Sequence, residues 1–509
     1  MTLIEARPPH HRPPHHRLAD RYLTAVIILI LLLTTLRCWV AGQMDFETDE
    51  TYYWLWSQHP ALSFYDHPPM VAWFIRLGTW FFGHTALGLR SMAIIAMLGA
   101  SALVYGLAFT LFDDRRIAAT SLLWFAVMPH TSFFSNIIFP DTPALLFWIL
   151  GCYALARIWR SGHRGWWYLA GLAFGLTMIS KYTGLFLIAA AVAWILFSPA
   201  MRPWLRRREP YLAALVALAV FSPVLWWNAG HDWASFAKQF GRVLDHAPQA
   251  GLANAGAFVG IQAAFVSPLM FVFALAGTAI ATRRGLLHKQ ANWLLLALAS
   301  APMLLFFLLH ALTDKVLPQW PSAAYPTAIV AAVAAFQHRA GDPASRRWQR
   351  WGFAAAPWLG LAMSLGMYLQ MTLPLVPVAA ARDPFSKFIG WQGLAEAAGE
   401  AMKAEHAGYI ATSEYGTNSI LVYYLPRDTV VFQASEPWRY TNLPPVDQAM
   451  LAATTGLFLT SANADKADEL RPHFNSVELI ATIQRGRAGD PIEAFHLYRL
   501  TGYRGGVPY

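Results

Sequence analysis

Long apolar runs separated by short polar stretches extend from residue 22 to residue 373 of this chain. A membrane-spanning helix needs about 20 consecutive, mainly apolar residues. Eleven runs approach or exceed that length, and they predict eleven transmembrane helices. These runs lie at residues 22–41, 87–112, 117–134, 142–157, 166–180, 183–198, 211–227, 259–282, 291–311, 319–336 and 351–373.

Arginines and lysines are concentrated in every second connection between these runs. They cluster at residues 7–21, 115–116, 157–164, 202–208, 283–289 and 339–350. Because such clusters stay on the cytoplasmic side, the N-terminus is predicted to be cytoplasmic and an odd number of spans carries the C-terminus across the membrane. The Pro- and His-rich residues 1–21 are too polar to form a span, and we interpret them as a disordered cytoplasmic tail.

The pattern changes after Met371. Short β-type runs at 408–412, 429–432, 456–460, 477–481 and 494–498 alternate with helical stretches at 394–405 and 464–470. This alternation is typical of an α/β fold. The sequence therefore predicts an α-helical polytopic membrane domain at 22–373, with an outer loop at 42–86, and a small α/β domain at 374–509 on the outer side.

Composition agrees with the membrane class. Hydrophobic residues make up 56% of the 509 residues and charged residues 13%, whereas soluble domains carry about 25% charged residues. The formal charge of +9 is explained by the basic connections, so no nucleic-acid partner is expected. Cys38 and Cys152 both fall inside apolar runs, where packing is the expected role, and they do not form a disulfide framework for an exported domain.

The outer loop at 42–86 concentrates acidic residues where the chain leaves the lipid. Asp49 and Glu50 lie in the run TDETYYW, and Asp66 and His67 lie in the run FYDHPP. Acidic side chains are expensive beside hydrocarbon and are rarely kept there without a task. We therefore take this loop as a candidate site.

Further polar residues lie in other outer connections: Asp141, Lys181, His231 and Lys315. Each has a structural alternative, since Asp141 can cap a helix, Lys181 can extend to the membrane surface and His231 can be a structural histidine. Because the topology brings all of them to one face, they are candidates for a shared site. Cations beside acids suit a lipid-linked anionic donor, with the lysines on its phosphate and a carboxylate accepting a proton from the attacking hydroxyl.

The predicted spans contain no Asp, Glu or Lys. An ion-coupled transporter needs ionisable or broken-helix positions near the middle of the bilayer. The absence of such residues favours an enzyme at the outer face over a transporter or flippase of lipid-linked sugars. A structural membrane protein is the third alternative.

Five motifs, in order along the chain, resemble those of the GT-C glycosyltransferases. They are DETYYW, YDHPP, PDTP at 140–143, KYTG at 181–184, and Lys315 with the segment 318–326. Within that superfamily they resemble the bacterial branch that includes the lipid A aminoarabinose transferases and the protein O-mannosyltransferases. The residues of the first two motifs are most similar to those of transferases of the Rgt kind, which act on lipopolysaccharide. The resemblance covers residues 20–340, and the tail domain matches only in position and size.

The resemblance implies an inverting transfer of a sugar from a polyprenyl phosphate on the periplasmic face of the bacterial inner membrane. Matched motif by motif, Asp49 is the general base with Glu50 beside it, and Asp141 is a further acidic residue of the cavity. The residues matched to the donor phosphate are Lys181, Lys315 and His67.

The resemblance also implies a divalent metal ion near the phosphate, with Asp66 and His231 as candidate ligands. Here the sequence departs from the aminoarabinose transferases, which carry Glu-Lys-Pro where this chain has Asp66-His67-Pro68.

Lipid A or core lipopolysaccharide is the expected acceptor. A protein hydroxyl, and hence a protein O-glycosyltransferase, is the alternative. We expect a monomer surrounded by membrane lipids.

Overall fold

The computed structural model describes residues 14–244, 251–341, 346–373 and 376–506. A helical bundle is followed by a domain built on a five-stranded sheet. In the bundle, the helices are α1 (Pro14–Gln43), α2 (Thr48–Gln58), α3 (Met70–Phe82), α4 (Ala86–Phe112), α5 (Arg115–Val127), α6 (Pro129–Ser135), α7 (Asp141–Ser161), α8 (Gly165–Met178), α9 (Leu185–Phe197), α10 (Glu209–Ala229), α11 (Ala234–Leu244), α12 (Gly251–Val266), α13 (Pro268–Leu287), α14 (Ala291–Leu298), α15 (Ala301–His310), α16 (Tyr325–Gly341) and α17 (Arg347–Thr372). The sheet domain comprises α18 (Trp391–Ala404), β1 (Tyr409–Thr412), α19 (Tyr415–Tyr424), β2 (Val430–Gln433), α20 (Gln448–Ala453), β3 (Gly456–Ser461), α21 (Ala467–Leu470), β4 (Phe474–Arg487) and β5 (Asp490–Tyr503).

The polytopic helical architecture is confirmed. Within the described ranges, seven helices are long and apolar enough to cross a membrane, or eight if the bent pair α5 and α6 forms one span. Shorter apolar helices accompany them at Met70–Phe82, Tyr182–Phe197 and Gly251–Val266. The number of eleven spans stays a prediction.

Prolines divide two of the predicted spans. The run 117–134 bends by 60° between α5 and α6, where Pro129 begins the second helix. The run 259–282 is not one helix either, because it breaks at Ser267, with a φ of +80°, before Pro268. A proline lacks the N–H that a helix interior needs and disfavours helical geometry in the residue before it.

Part of the segment predicted as a disordered tail is helical. Residues 1–13 lie outside the described part of the chain, but residues 14–21 belong to α1. Asp20 in this segment pairs with Arg115, at 2.5 Å from Oδ1 to Nη1. The helix of the first span therefore begins in the polar segment that precedes the apolar run.

The sheet domain has the predicted α/β character. Its strand order is β2-β1-β3-β5-β4, with β1 parallel to β2 and β3, and β5 antiparallel to β3 and β4. Each of the five predicted β-type runs falls on one strand, although the last two belong to a hairpin of two 14-residue strands. The helix α19 was not predicted, and it packs against α2.

The outer loop lies between the bundle and the sheet domain. Its two helices are α2 and α3. Large side chains such as Trp80 and Phe81 are exposed on α3, as in helices that lie in a membrane interface. On the other side α2 packs closely against α19, since a Cβ on Gly416 would lie 2.8 Å from Cβ of Thr48.

Small residues allow neighbouring bundle helices to approach closely. A Cβ placed on Gly277 of α13 would lie 2.4 Å from Cα of Ala332 on α16. In membranes, where water does not drive helices together, such close van der Waals packing holds them.

We predict that Gly277→Ala destabilises the protein by about 1–3 kcal/mol, because the added methyl must push α13 and α16 apart. The matched control is Gly256→Ala on α12, where nothing lies within 4 Å of the added Cβ. It should be neutral or slightly stabilising, because alanine is the better helix former. Thermal unfolding of both variants in detergent measures the difference, and equal midpoints would contradict the packing role of Gly277.

Candidate active site

A cavity of about 550 Å³ lies between the bundle, the outer loop and the sheet domain. One part of its wall is polar or ionisable and the other is apolar. The polar and ionisable lining residues include Asp49, Asp66, His67, Asp141, Lys181, Gln239, His310, Gln319 and Tyr415, and the apolar ones include Phe139, Leu185, Phe186, Ala189, Phe240, Phe306, Phe307, Leu317 and Trp320. The cavity can therefore hold a molecule with a polar head and an apolar tail.

The start of α2 positions Asp49. Glu47 is the N-cap residue, and its Oε2 accepts a hydrogen bond from the backbone N–H of Asp49 at 2.7 Å. The Tyr415 hydroxyl of α19 donates to Oδ1 of Asp49 at 2.8 Å. A carboxylate on the first turn is also favoured by the helix dipole. These contacts hold the Asp49 carboxyl at the cavity wall.

Burial shifts the pKa of both carboxyl groups at the start of α2. It raises the pKa of Asp49, while the hydrogen bond from Tyr415 acts in the opposite direction. Burial, reinforced by the nearby charge of Asp49, raises the pKa of Glu47 to about 8. Burial thus disfavours the charged form of both carboxyl groups.

Glu50 occupies a different place from the one predicted. It is fully buried, is not among the described residues that line the cavity, and forms an ion pair with Arg90 of α4 at 2.6 Å. Its carboxylate also accepts from the backbone N–H groups of Glu47 and Ile138. These contacts use both carboxylate oxygens, so Glu50 supports the start of α2.

Asp141 and Lys181 form a buried pair in the cavity wall. Nζ of Lys181 lies 2.6 Å from Oδ1 of Asp141, and the two residues are 8% and 9% exposed. Asp141 is the first residue of α7, and the N-cap position before it is occupied by Pro140. The structural alternatives of a helix cap and a surface lysine are thus replaced by a direct ion pair.

Asp66 is paired with a residue that the sequence did not point to. Nη1 of Arg439, in the turn Pro437–Tyr440 of the sheet domain, lies 2.6 Å from Oδ2 of Asp66. The Tyr52 hydroxyl donates to the same oxygen at 3.0 Å. No motif in the sequence identifies Arg439. Its second partner in the structure is Glu436, at 2.6 Å, three positions earlier in the chain.

The remaining candidates separate into lining and non-lining residues. His67 lines the cavity. Lys315 is exposed and is absent from the described lining, although Leu317, Gln319 and Trp320 after it contribute. His231 is also absent from the described lining, because its ring stacks on Trp227 at 4.0 Å.

Both predicted metal ligands, Asp66 and His231, have protein partners in the structure. Asp66 is engaged by Arg439, and Nδ1 of His231 lies 2.8 Å from the backbone oxygen of Trp227. Across the ranges that the structure describes, no group of three or more His, Cys, Asp or Glu residues is arranged to hold a metal ion. We therefore derive no step through a metal at these two residues.

Comparison with known families supports the interpretation of the motifs. Residues 66–227 match the family model described as dolichyl-phosphate-mannose-protein mannosyltransferase. The lipid A galacturonosyltransferase RgtD of Rhizobium johnstonii is 29% identical over 296 residues, which cover 57% of this chain and 60% of that protein. The undecaprenyl phosphate-alpha-4-amino-4-deoxy-L-arabinose arabinosyl transferase of Pseudomonas aeruginosa is 29% identical over 34% of this chain and 31% of its own length. The chain thus matches less than two thirds of either relative.

Solved structures extend the likeness to the whole chain. ArnT from Cupriavidus metallidurans in the apo state matches with a TM-score of 0.63 at 14% identity, covering 94% of this chain and 98% of that one. The same enzyme bound to undecaprenyl phosphate gives a TM-score of 0.62, also at 14% identity and the same coverage. At this identity the match establishes the fold alone, and together with the family model and RgtD it bears out the predicted resemblance.

We predict that Glu50→Gln and Arg90→Met each destabilise the protein by about 3–5 kcal/mol, because either change leaves an uncompensated buried charge. Unfolding in detergent measures the loss. The double variant should recover much of the stability, since replacing both buried ions costs far less than removing one. Single variants as stable as the natural protein would contradict this role of the pair.

Proposed function

We propose that this protein, whose fold is that of the GT-C glycosyltransferases, transfers a sugar from a polyprenyl-phosphate donor to lipid A or core lipopolysaccharide. Transfer proceeds with inversion, on the periplasmic face of the inner membrane, in the cavity between the bundle and the sheet domain. The acceptor alternative is a protein hydroxyl.

The pairing of the three cavity carboxylates is the observation that carries this proposal. Asp141 is paired with Lys181 and Asp66 with Arg439, whereas the hydrogen-bond partner of Asp49 in the cavity wall is the neutral hydroxyl of Tyr415. A carboxylate paired with a cation is a weak base, because the cation stabilises its charged form. Asp49 is the carboxylate best suited to accept a proton.

The reaction then needs few groups. The acceptor hydroxyl gives its proton to Asp49 while its oxygen bonds to the anomeric carbon, and the bond from that carbon to the phosphate oxygen breaks. The electron pair leaves with the polyprenyl phosphate. Phosphate is a good leaving group, so positioning, charge neutralisation and one base supply the catalysis.

The apolar wall suits the donor's lipid tail. Leu185, Phe186 and Ala189 of α9 face the cavity together with Phe306 and Phe307 of α15. ArnT of the same fold is known in complex with undecaprenyl phosphate. A polyprenyl chain is therefore the tail that we propose.

Basic residues support the proposed orientation. Asp141 at the start of α7 lines the cavity, and Arg160, close to the other end of that helix, pairs with Asp113 at 2.7 Å. The two ends of a 21-residue helix are about 30 Å apart. The basic connection after α7 thus lies far from the cavity, and under the positive-inside rule this supports a periplasmic location of the cavity.

Mass spectrometry of lipid A and core oligosaccharide tests the acceptor and the sugar together. A strain lacking this protein should lose one sugar mass that the complemented strain regains. Because RgtD is named a lipid A galacturonosyltransferase, galacturonic acid is the first mass to seek. An unchanged envelope, with a glycoprotein losing mass instead, would favour the protein acceptor.

We predict that Asp49→Asn lowers turnover by about 10²–10⁴-fold, because the amide cannot accept the proton. Transfer from a lipid-phosphate sugar by the purified protein in proteoliposomes measures this. The control is Asp314→Asn, at a residue outside the described cavity lining. A folded Asp49→Asn variant with undiminished turnover would remove Asp49 from its assigned role.

We predict that Tyr415→Phe moves the acidic limb of the kcat/KM profile to higher pH. The tyrosine hydroxyl stabilises the charged form of Asp49, so its loss raises the pKa of a base that must be deprotonated to act. Tyr423→Phe, on the same helix but bonded to the His84 backbone, is the control. If Tyr415→Phe and natural profiles coincide, Asp49 is not the titrating base.

A further inference from the structure

The cavity described above contains little positive charge to neutralise the phosphate of the proposed donor. Its described ionisable lining, tyrosines aside, consists of Asp49, Asp66, Asp141, Lys181 and two histidines. Lys181 is already paired with Asp141, and Arg439, behind the wall, is shared by Asp66 and Glu436. A phosphate in this cavity therefore needs hydrogen-bond donors beyond these paired cations.

His310, the last residue of α15, is placed to be such a donor. It lines the cavity and is 7% exposed. Its Nε2 is buried and has no hydrogen-bond partner within the described part of the protein. An unpaired buried polar atom is unfavourable, and a site that tolerates one commonly awaits a ligand or a water.

Two aromatic rings hold the imidazole in place. Phe306, one turn earlier on α15, stacks with it at 6.0 Å and an interplanar angle of 12°. Trp320 stacks with it at 6.1 Å and 22°. Because both rings belong to the apolar wall that faces the donor's tail, the histidine lies where a lipid's apolar chain would meet its polar head.

We propose that the imidazole of His310 donates a hydrogen bond to the phosphate of the polyprenyl donor, in the place that the sequence had assigned to Lys315. This inference rests on the proposed function. The fixed ring supplies a donor without the loss of rotamer freedom that a lysine would incur. As the bond to the sugar breaks, the same contact stabilises the charge that develops on the leaving phosphate.

Binding of undecaprenyl phosphate to the purified full-length chain tests this contact. His310→Phe keeps the ring stack and removes the donor, and it should weaken binding about tenfold or more. His310→Gln, which restores an N–H donor, should recover most of the affinity. Binding of undecaprenol, which lacks the phosphate, should be equal in all of these variants.

The matched control is His231→Phe. That histidine also stacks on a tryptophan, but it is not among the described cavity-lining residues. The His231→Phe variant should bind undecaprenyl phosphate with the affinity of the natural protein and should have the same KM for the sugar donor. His310→Phe should raise this KM and lower kcat.

Two failures are distinguishable. If the natural protein binds undecaprenyl phosphate and His310→Phe binds it equally well, the phosphate contact is wrong while the proposed function stands. Equal weakening for undecaprenol and its phosphate would likewise overturn the contact and assign His310 to packing against the tail. If the natural protein neither binds the lipid nor transfers a sugar, the proposed function itself fails.

Discussion

The buried ion pair between Glu50 and Arg90 is the interaction on which the rest of the site depends. Nε and Nη2 of Arg90 donate to the two oxygens of Glu50 at 2.8 and 2.6 Å. The same guanidinium donates to the backbone oxygens of Ala41, Met44 and Asp45, where α1 ends. Glu50 in turn accepts from the backbone of Ile138, three residues before Asp141. One pair thus joins the first span, the start of α2, α4 and the segment that leads into α7.

This arrangement explains how three carboxylates tolerate the edge of a membrane. Burying a charge is costly unless it is paired and hydrogen-bonded. Glu50, Asp66 and Asp141 each have a cation at 2.6 Å. One of these cations comes from α4, one from the connection between α8 and α9, and one from the sheet domain. Asp49 differs because its cavity partner is a tyrosine, and that difference supports its proposed role as the base. The sheet domain is thus part of the site, since it supplies both Tyr415 and Arg439.

Some of the site followed from the sequence because local rules govern it. The distribution of basic residues among the connections predicted one common face for four residues, Asp49, Asp66, Asp141 and Lys181. In the structure all four line one cavity. Glu50 and Lys315 were assigned to the site from adjacency and motif order, which do not report the direction of a side chain. Successive residues at a helix start point in different directions, so Glu50 turns to Arg90 while Asp49 faces the cavity. Arg439 and His310 carry no motif, and their roles depend on packing between elements far apart in the chain.

The sequence by itself determined the class of the protein: apolar runs long enough for membrane helices, a terminal α/β domain, and acidic motifs where the chain leaves the lipid. These features depend on composition and period, which act over a few neighbouring residues. Only the tertiary structure decided which carboxylate is paired with which cation and which is left with a neutral partner. Those pairings join residues from 40 to 373 positions apart, and a one-dimensional pattern carries no information on which of them meet.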